Sequence, residues 1–216
     1  MNPSFVYPKP TPIYHITPID NLRLILEAGG MWAKRVLDQE DTGYTNMAHQ
    51  SIQDRRANTS VPCIPGGILH DYVPFYFAPR SPMLYTISRG NVVGFSGGQV
   101  SVVHIVSTAQ SVNNAGLRFI FSDGHGIMAF TEFFSDLADL DKIDWDIMST
   151  DYWADTNDDM DRKRRRQAEF LVYDRFPVNL ILKIGVINQL KKIETEAMLA
   201  EFDLTIPVVI SADWYY

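Results

Sequence analysis

Glu169 stands in "RRRQAEFLVYDRFP", residues 164–177, where three arginines lead into a run of apolar and aromatic side chains. Phe170, Leu171, Val172 and Tyr173 favour extended backbone, so 167–174 reads as a β-strand. Alternation sends Ala168, Phe170 and Val172 to one face and Glu169, Leu171 and Tyr173 to the other. Both faces are apolar, which predicts a central, covered strand. A carboxylate in such a place is costly to desolvate unless it is paired or hydrogen-bonded. Two readings stay open here. Glu169 either bridges to one of Arg164–Arg166 or meets water at a strand edge, or it forms a cleft floor that holds a sugar hydroxyl or steadies positive charge on a sugar carbon.

Other residues offer binding chemistry. "HDYVPFYFAPRSP" (70–82) is an aromatic-rich strand leading into a helix. About half of Tyr72, Phe75, Tyr76 and Phe77 must face inward, and the remainder can stack on a flat ring such as nicotinamide or a nucleobase. Arg80 at the strand exit is either a phosphate contact or a solvated loop cation. Arg55 and Arg56 close a predicted helix over 45–58, where cations suit the dipole in any case. His15 lies mid-strand, as compatible with a structural role as with a ligand contact. "FSDGHGI" (121–127) is a glycine-flanked turn exposing Asp123 and His125, and "STDYWADTNDD" (149–159) carries Tyr152 and Trp153 in a polar loop. Such aromatics either face a partner or tuck onto the core.

Several chemistries find no support. The five histidines have no HExxH or other metal spacing, and no serine has a GxSxG context. The one cysteine, Cys63, excludes an internal disulfide and a multi-cysteine zinc site, so no metal is expected. Neither GxGxxG nor GxxxxGK[ST] is present, so a dinucleotide would bind without a Rossmann fingerprint.

The elements that must position these residues suggest one domain. A chain of 216 residues, 46% hydrophobic and 21% charged, fits a single soluble globular unit. No apolar run is long enough to span a bilayer, and the N-terminus lacks a basic segment followed by an apolar one, so a cytoplasmic protein is expected. The net charge of −7 argues mildly against a general nucleic-acid coat protein. Yet "DTNDDMD" (155–161) is followed at once by "RKRRR" (162–166), a local basic strip. Strands are predicted at 12–17, 72–78, 98–108, 119–122, 167–174, 180–186 and toward the C-terminus. Helices are predicted after Thr17 as N-cap with Pro18 at the first helical position, and at 45–58, 81–90 and 188–202. Without a regular βαβ rhythm, this is a mixed α+β domain.

Taken together, "PIYHIT" near the start, "LHDYVPFYFAPRSPMLY", "FSDGH", "QAEFLVY" and the closing "WYY" resemble the DarT toxins over nearly the whole chain. The resemblance implies NAD⁺-dependent transfer of ADP-ribose to bases of single-stranded DNA, with a macrodomain antitoxin, DarG, as partner. It implies the ADP-ribosyltransferase fold related to the poly(ADP-ribose) polymerases, with NAD⁺ in a cleft between two small antiparallel sheets. It is closest to the thymine-modifying branch. By matching motif, His15 would contact NAD⁺ with Tyr14 and Ile16 beside it, and Tyr76 would flank the nicotinamide. Arg56 would be the essential arginine and Glu169 the catalytic glutamate. Residues of about 38–58 would close over NAD⁺, and about 125–169 would recognise the substrate. Arg80, His125, Tyr152, Trp153, Arg164, Arg165 and Arg166 would form a basic, aromatic DNA channel. A monomer with no membrane association is expected.

That chemistry gives the strand carboxylate a use. Breaking the nicotinamide–ribose bond builds oxocarbenium character, which a nearby carboxylate stabilises. Rival readings are a transferase of the same fold acting on another base, RNA or protein, and a nucleic-acid-binding module without catalysis. Retention of both Glu169 and Arg56 opposes the last. Glu169→Ala is expected to abolish DNA modification in an NAD⁺ assay while circular dichroism shows an intact fold, and Arg56→Ala nearly so.

Overall fold

The structure, a computed structural model, describes residues 7–40, 43–45, 47 and 49–216. Residues 1–6, and positions 41, 42, 46 and 48 of the 38–58 covering element expected above, lie outside the described residues. In chain order the elements are β1 (Pro12–Pro18), α1 (Ile19–Glu27), β2 (Gly30–Trp32), α2 (Lys34–Gln39), α3 (Gln50–Ala57), β3 (Tyr72–Tyr76), α4 (Pro82–Ser88), β4 (Val102–Thr108) and α5 (Ala109–Asn114). They continue with β5 (Phe119–Ser122), β6 (Phe133–Phe134), α6 (Trp145–Ser149), α7 (Arg162–Arg165), β7 (Glu169–Tyr173), β8 (Arg175–Pro177), β9 (Lys183–Val186), α8 (Gln189–Glu201) and β10 (Val208–Ile210).

Eight strands run in the order β10-β9-β4-β1-β3-β7-β5-β6, and β2 pairs separately with β8. Every pairing is antiparallel except β9 with β10. The large sheet is nearly two. β1 pairs with β4 over all seven of its residues, from Pro12↔Thr108 to Pro18↔Val102, but meets β3 only at Tyr14↔Tyr76. Pro74 supplies a reason for the split. It has no N–H to donate toward β1, and its carbonyl accepts instead from His15 Nδ1 at 2.8 Å. The two small sheets expected from the resemblance are thus halves of one sheet joined at a seam.

Local chemistry moved several boundaries. β1 runs through Thr17 to Pro18, so Pro18 caps α1 without a side-chain bond, and Thr17 Oγ1 accepts from Asn21 instead. Ser81 does cap α4, accepting from the Leu84 amide at 3.1 Å. The predicted helix over 45–58 is helical only at Gln50–Ala57, and 98–108 begins with a 3₁₀ turn at Gln99–Ser101. β2 and β8 carry no alternation long enough to announce a strand. Gly30 permits that pairing: at φ 152° it lies where side chains are rare, and a Cβ would sit 2.3 Å from the Phe176 carbonyl.

The central strand follows its alternation. Ala168, Phe170 and Val172 join the main core, whereas Leu171 packs with Leu69, Tyr72, Ile120 and Ile127 on the opposite face, with Tyr173 against that second cluster. Phe170 is fully buried and stacks on Phe119 at 5.0 Å between centroids, with Phe77 edge-on at 6.1 Å. Truncating it removes this stack and leaves a cavity. Phe170→Ala is therefore expected to cost about 3–5 kcal/mol of stability, read as a lowered denaturation midpoint in urea with unchanged slope.

Candidate active site at the sheet seam

Register across the seam lines up Tyr14, Tyr76 and Glu169, because Tyr76 ends β3 opposite both neighbours. Glu169 is 4% exposed and Arg56 is 8% exposed. They form a buried ion pair, with Arg56 Nη1 donating to Glu169 Oε1 at 2.6 Å. The second oxygen, Oε2, accepts from the Gly126 amide at 3.2 Å. A Cβ on residue 126 would stand 2.9 Å from that oxygen and 3.1 Å from Leu69 Cδ1, so glycine makes the close approach possible. Glu169 thus bridges neither to Arg164–Arg166 nor to water; its cation comes from α3.

The arginine is held in turn by its helix. His70 Nε2 and Gln53 Oε1 lie 2.9 Å apart, and Arg55 Nη2 donates to the Ile127 carbonyl at 2.9 Å. These contacts tie α3 to the start of β3 and to the 123–131 turn. Three buried side-chain polar atoms have no partner among the described residues; Arg175 Nε lies elsewhere, and the other two, Arg56 Nη2 and His125 Nδ1, belong to residues that line this cleft. An unpaired buried donor or acceptor is expensive, so both mark places where a ligand can supply the bond.

Burial depresses the pKa of His15 and of His125. For His125 the Glu169 charge opposes this, while Arg56 and Arg55 reinforce it. Both imidazoles are neutral at pH 7, and His15 keeps its proton on Nδ1 because a carbonyl can only accept. Burial first, then the Glu169 charge, raises the Tyr76 phenol, which donates to Met83 Sδ at 3.8 Å. His15, Ile16, Arg56, Tyr76, His125 and Glu169 all line one cleft of about 1470 Å³. That exceeds the roughly 300–1,000 Å³ of ordinary small-molecule pockets. Tyr14 is not among the lining residues; its ring turns edge-on to Trp214 at 5.3 Å.

A buried carboxylate–guanidinium pair at the seam of a split sheet, beside an aromatic ring, coincides with a match to the family described as ssDNA thymidine ADP-ribosyltransferase, DarT, over residues 14–216. The chain belongs to the DarT family. It is 47% identical over 212 residues to a DNA ADP-ribosyl transferase of Thermus sp. (strain 2.9), covering 97% of this chain and 98% of that one. It is 31% identical over 209 residues to the DNA ADP-ribosyl transferase of Escherichia coli O127:H6, covering 97% and 95%. The Thermus sp. 2.9 DarT solved in complex with ADP-ribosylated ssDNA superposes with a TM-score of 0.92 at 44% identity, covering 99% of this chain and 100% of that one. The same protein in complex with NAD⁺ gives 0.86 at 43%, covering 98% and 100%. The α+β ADP-ribosyltransferase fold is shared throughout.

Within this DarT scaffold the expected basic strip is not a row of free charges. Arg164 grips Asp161 through Nε at 2.7 Å and Asp123 through Nη1 at 2.9 Å, and these partners, Asp161 foremost, raise its pKa. Arg165 is bonded to Asp144 and Asp159. Arg166 is buried and donates to the carbonyls of Arg80, Ile147, Met148 and Thr150. Asp159 and Asp161 of the acidic tract, with Asp123 and Asp144, neutralise Arg164 and Arg165. Removing Arg164 and Arg165 together would therefore break these ion pairs and loosen the 123–166 region. Arg80 is also engaged, with Asp151 at 2.6 Å and the Tyr215 carbonyl at 3.1 Å. Trp153 donates to the Tyr216 hydroxyl at 3.0 Å, whereas Tyr152 stands exposed.

Sequence reasoning missed Gly126, His70 and Gln53. The "GHG" spelling signals a tight turn, but nothing in it names a carboxylate 43 residues away. Gly126→Ala is expected to push the Glu169 carboxylate aside and lower turnover about 10- to 100-fold with the thermal midpoint within a few degrees of the parent. Undiminished turnover would remove Gly126 from the support of Glu169.

Proposed function

We propose that Glu169 and Arg56 form the reaction centre for ADP-ribose transfer from NAD⁺ to thymine of single-stranded DNA. The single observation carrying this reading is the 2.6 Å Arg56–Glu169 pair, buried at the seam, with Arg56 Nη2 left without a partner among the described residues. The chain is an NAD⁺-dependent DNA ADP-ribosyltransferase by family, and its residues fit the donor. The cleft offers a flat phenol ring at Tyr76, a neutral imidazole at His15, and a carboxylate with acceptor capacity to spare. A carboxylate has about four acceptor sites; Arg56 and Gly126 take two, which leaves capacity for a ribose hydroxyl.

NAD⁺ supplies a ribose–nicotinamide bond whose cleavage puts positive charge on the sugar and releases nicotinamide as a neutral base. Glu169 answers that charge from a fixed, dry position, where electrostatic stabilisation is strongest. Its rigidity comes from Arg56 on one oxygen and the Gly126 amide on the other. The thymine N3 must shed its proton as it bonds to the anomeric carbon, and Glu169 is the acceptor for it. Arg56 orients donor or base through Nη2, which has no partner among the described residues. His125, neutral and beside this pair, faces the acceptor side. A single-stranded acceptor suits a site that must reach a base on its pairing edge.

The same reading makes the protein a toxin paired with a DarG-type macrodomain antitoxin and working as a cytoplasmic monomer. Membership of the DarT family supports the first part. No described helix is long and apolar enough to cross a membrane. Mass spectrometry of thymine-only and guanine-only oligonucleotides after incubation with NAD⁺ tests the acceptor. An ADP-ribosyl adduct is expected on thymine alone. Adducts on guanine, or on protein with bare oligonucleotides, would replace this reading with one of its rivals.

A further inference from the structure

Tyr216 makes a set of contacts that the transfer chemistry leaves unused. It lines the cleft, and its phenol oxygen accepts from the Trp153 indole Nε1–H at 3.0 Å while donating to the Ser81 carbonyl at 3.3 Å. Its ring stands edge-on to Tyr85, with centroids 5.1 Å apart, and the Arg80 guanidinium lies 4.9 Å from the ring centre. The backbone here is fixed as well. The Tyr216 amide donates to Gln99 Oε1 at 2.9 Å, and the neighbouring Tyr215 phenol, deeply buried, donates to the Val102 carbonyl at 2.8 Å. A side chain anchored on the β1–β4 half of the sheet therefore reaches across to the turn after β3 and to the loop at 150–161.

That loop is clamped on both sides of one projecting residue. The Thr150 carbonyl accepts from Arg166 at 3.1 Å, and Asp151 pairs with Arg80 at 2.6 Å. Arg162 takes the carbonyls of Tyr152 and Ala154 at 2.6 and 3.1 Å, and Trp153 is bonded to Tyr216. The Tyr152 side chain, by contrast, is 65% exposed and lines the cleft. A ring that is exposed yet carried on fixed backbone loses little freedom when a base stacks on it. The ring of Trp153 is spent internally, against Tyr85 and the Tyr216 hydroxyl.

We propose that Tyr216 is a positioning residue for the acceptor strand: through Trp153 it fixes the 150–161 loop so that Tyr152 offers a stacking face to an unpaired base at the cleft mouth. The inference rests on the single-stranded DNA reading above. None of the hydrogen bonds of Tyr216 reaches Glu169, Arg56 or Gly126, so loosening the latch weakens the strand's hold and leaves the handling of NAD⁺ alone.

The test is steady-state kinetics with a thymine-containing oligonucleotide and NAD⁺ varied in turn, for Tyr216→Phe, Trp153→Phe and the double variant. Tyr216→Phe keeps the ring on Tyr85 and Arg80 and removes only the hydroxyl. The KM for the oligonucleotide is expected to rise roughly three- to tenfold, about the worth of the hydrogen bond to Trp153 through which the latch acts. The KM for NAD⁺ and the thermal midpoint should stay at the parental values. Trp153→Phe should reproduce the effect, and the double variant should add nothing to either single one. An unchanged oligonucleotide KM, equal rises for both substrates, or additive effects in the double variant would overturn the latch. A parent protein that consumes NAD⁺ but modifies no oligonucleotide would overturn the acceptor reading itself, and the latch's link to DNA with it.

Discussion

A carboxylate and a guanidinium facing each other out of water set the terms for the rest of this molecule. Moving each ion from water into the interior costs several kcal/mol even after relaxation, and only close geometry with further hydrogen bonds repays it. Glu169 and Arg56 meet both conditions, at 2.6 Å with the Gly126 amide on the second carboxylate oxygen. Neither residue can move far without leaving the other charged and alone. The pair therefore demands that α3, the 123–131 turn and β7 keep fixed relative positions. The His70–Gln53 bond, the Arg55 contact to Ile127 and the Arg164 grip on Asp123 serve that requirement. The stabilising contacts of the neighbourhood converge on this ion pair.

The seam explains why the pair sits where it does. Fully paired strands leave no room between them, and a sheet interior is ordinarily closed to ligands. Pro74 withholds an N–H at the junction of β3 with β1, and the imidazole of His15 occupies its carbonyl. With one backbone pairing at Tyr14↔Tyr76, the halves part and expose the end of β7. Glu169 begins β7 opposite Tyr76, at the point where the sheet opens. A carboxylate two residues further along the strand would be sealed in the second apolar cluster.

Much of the charge in the 155–166 region is paired within the protein. Asp159 and Asp161 precede the arginines by a few residues, and α7 folds the two groups together. Their bonds, with those to Asp123 and Asp144, hold the 123–131 and 150–161 segments and take up the charges of Arg164 and Arg165. The protein keeps its net charge of −7, and under the function proposed above a strand is held by exposed ring faces and by the buried nitrogens deeper in the cleft that have no partner among the described residues.

The face of β7 that carries Glu169 was legible without coordinates, because alternation over Ala168–Tyr173 is strict and each face meets its own apolar cluster. The spans of β5 and α8 were equally plain from their composition and caps. Family resemblance named Glu169 and Arg56 from local motifs, yet no local pattern joins residues separated by 113 positions in the chain. The short β2–β8 pair, the single-bridge seam, the Arg164 and Arg165 ion pairs and the Arg166 bonds to backbone carbonyls depend on contacts between separated segments, where propensity is silent. Sequence thus determined which residues are suited to the chemistry, since propensity and alternation act over a few neighbours. Tertiary structure alone decided which charges neutralise one another and which face a ligand, because burial and pairing are properties of three-dimensional proximity.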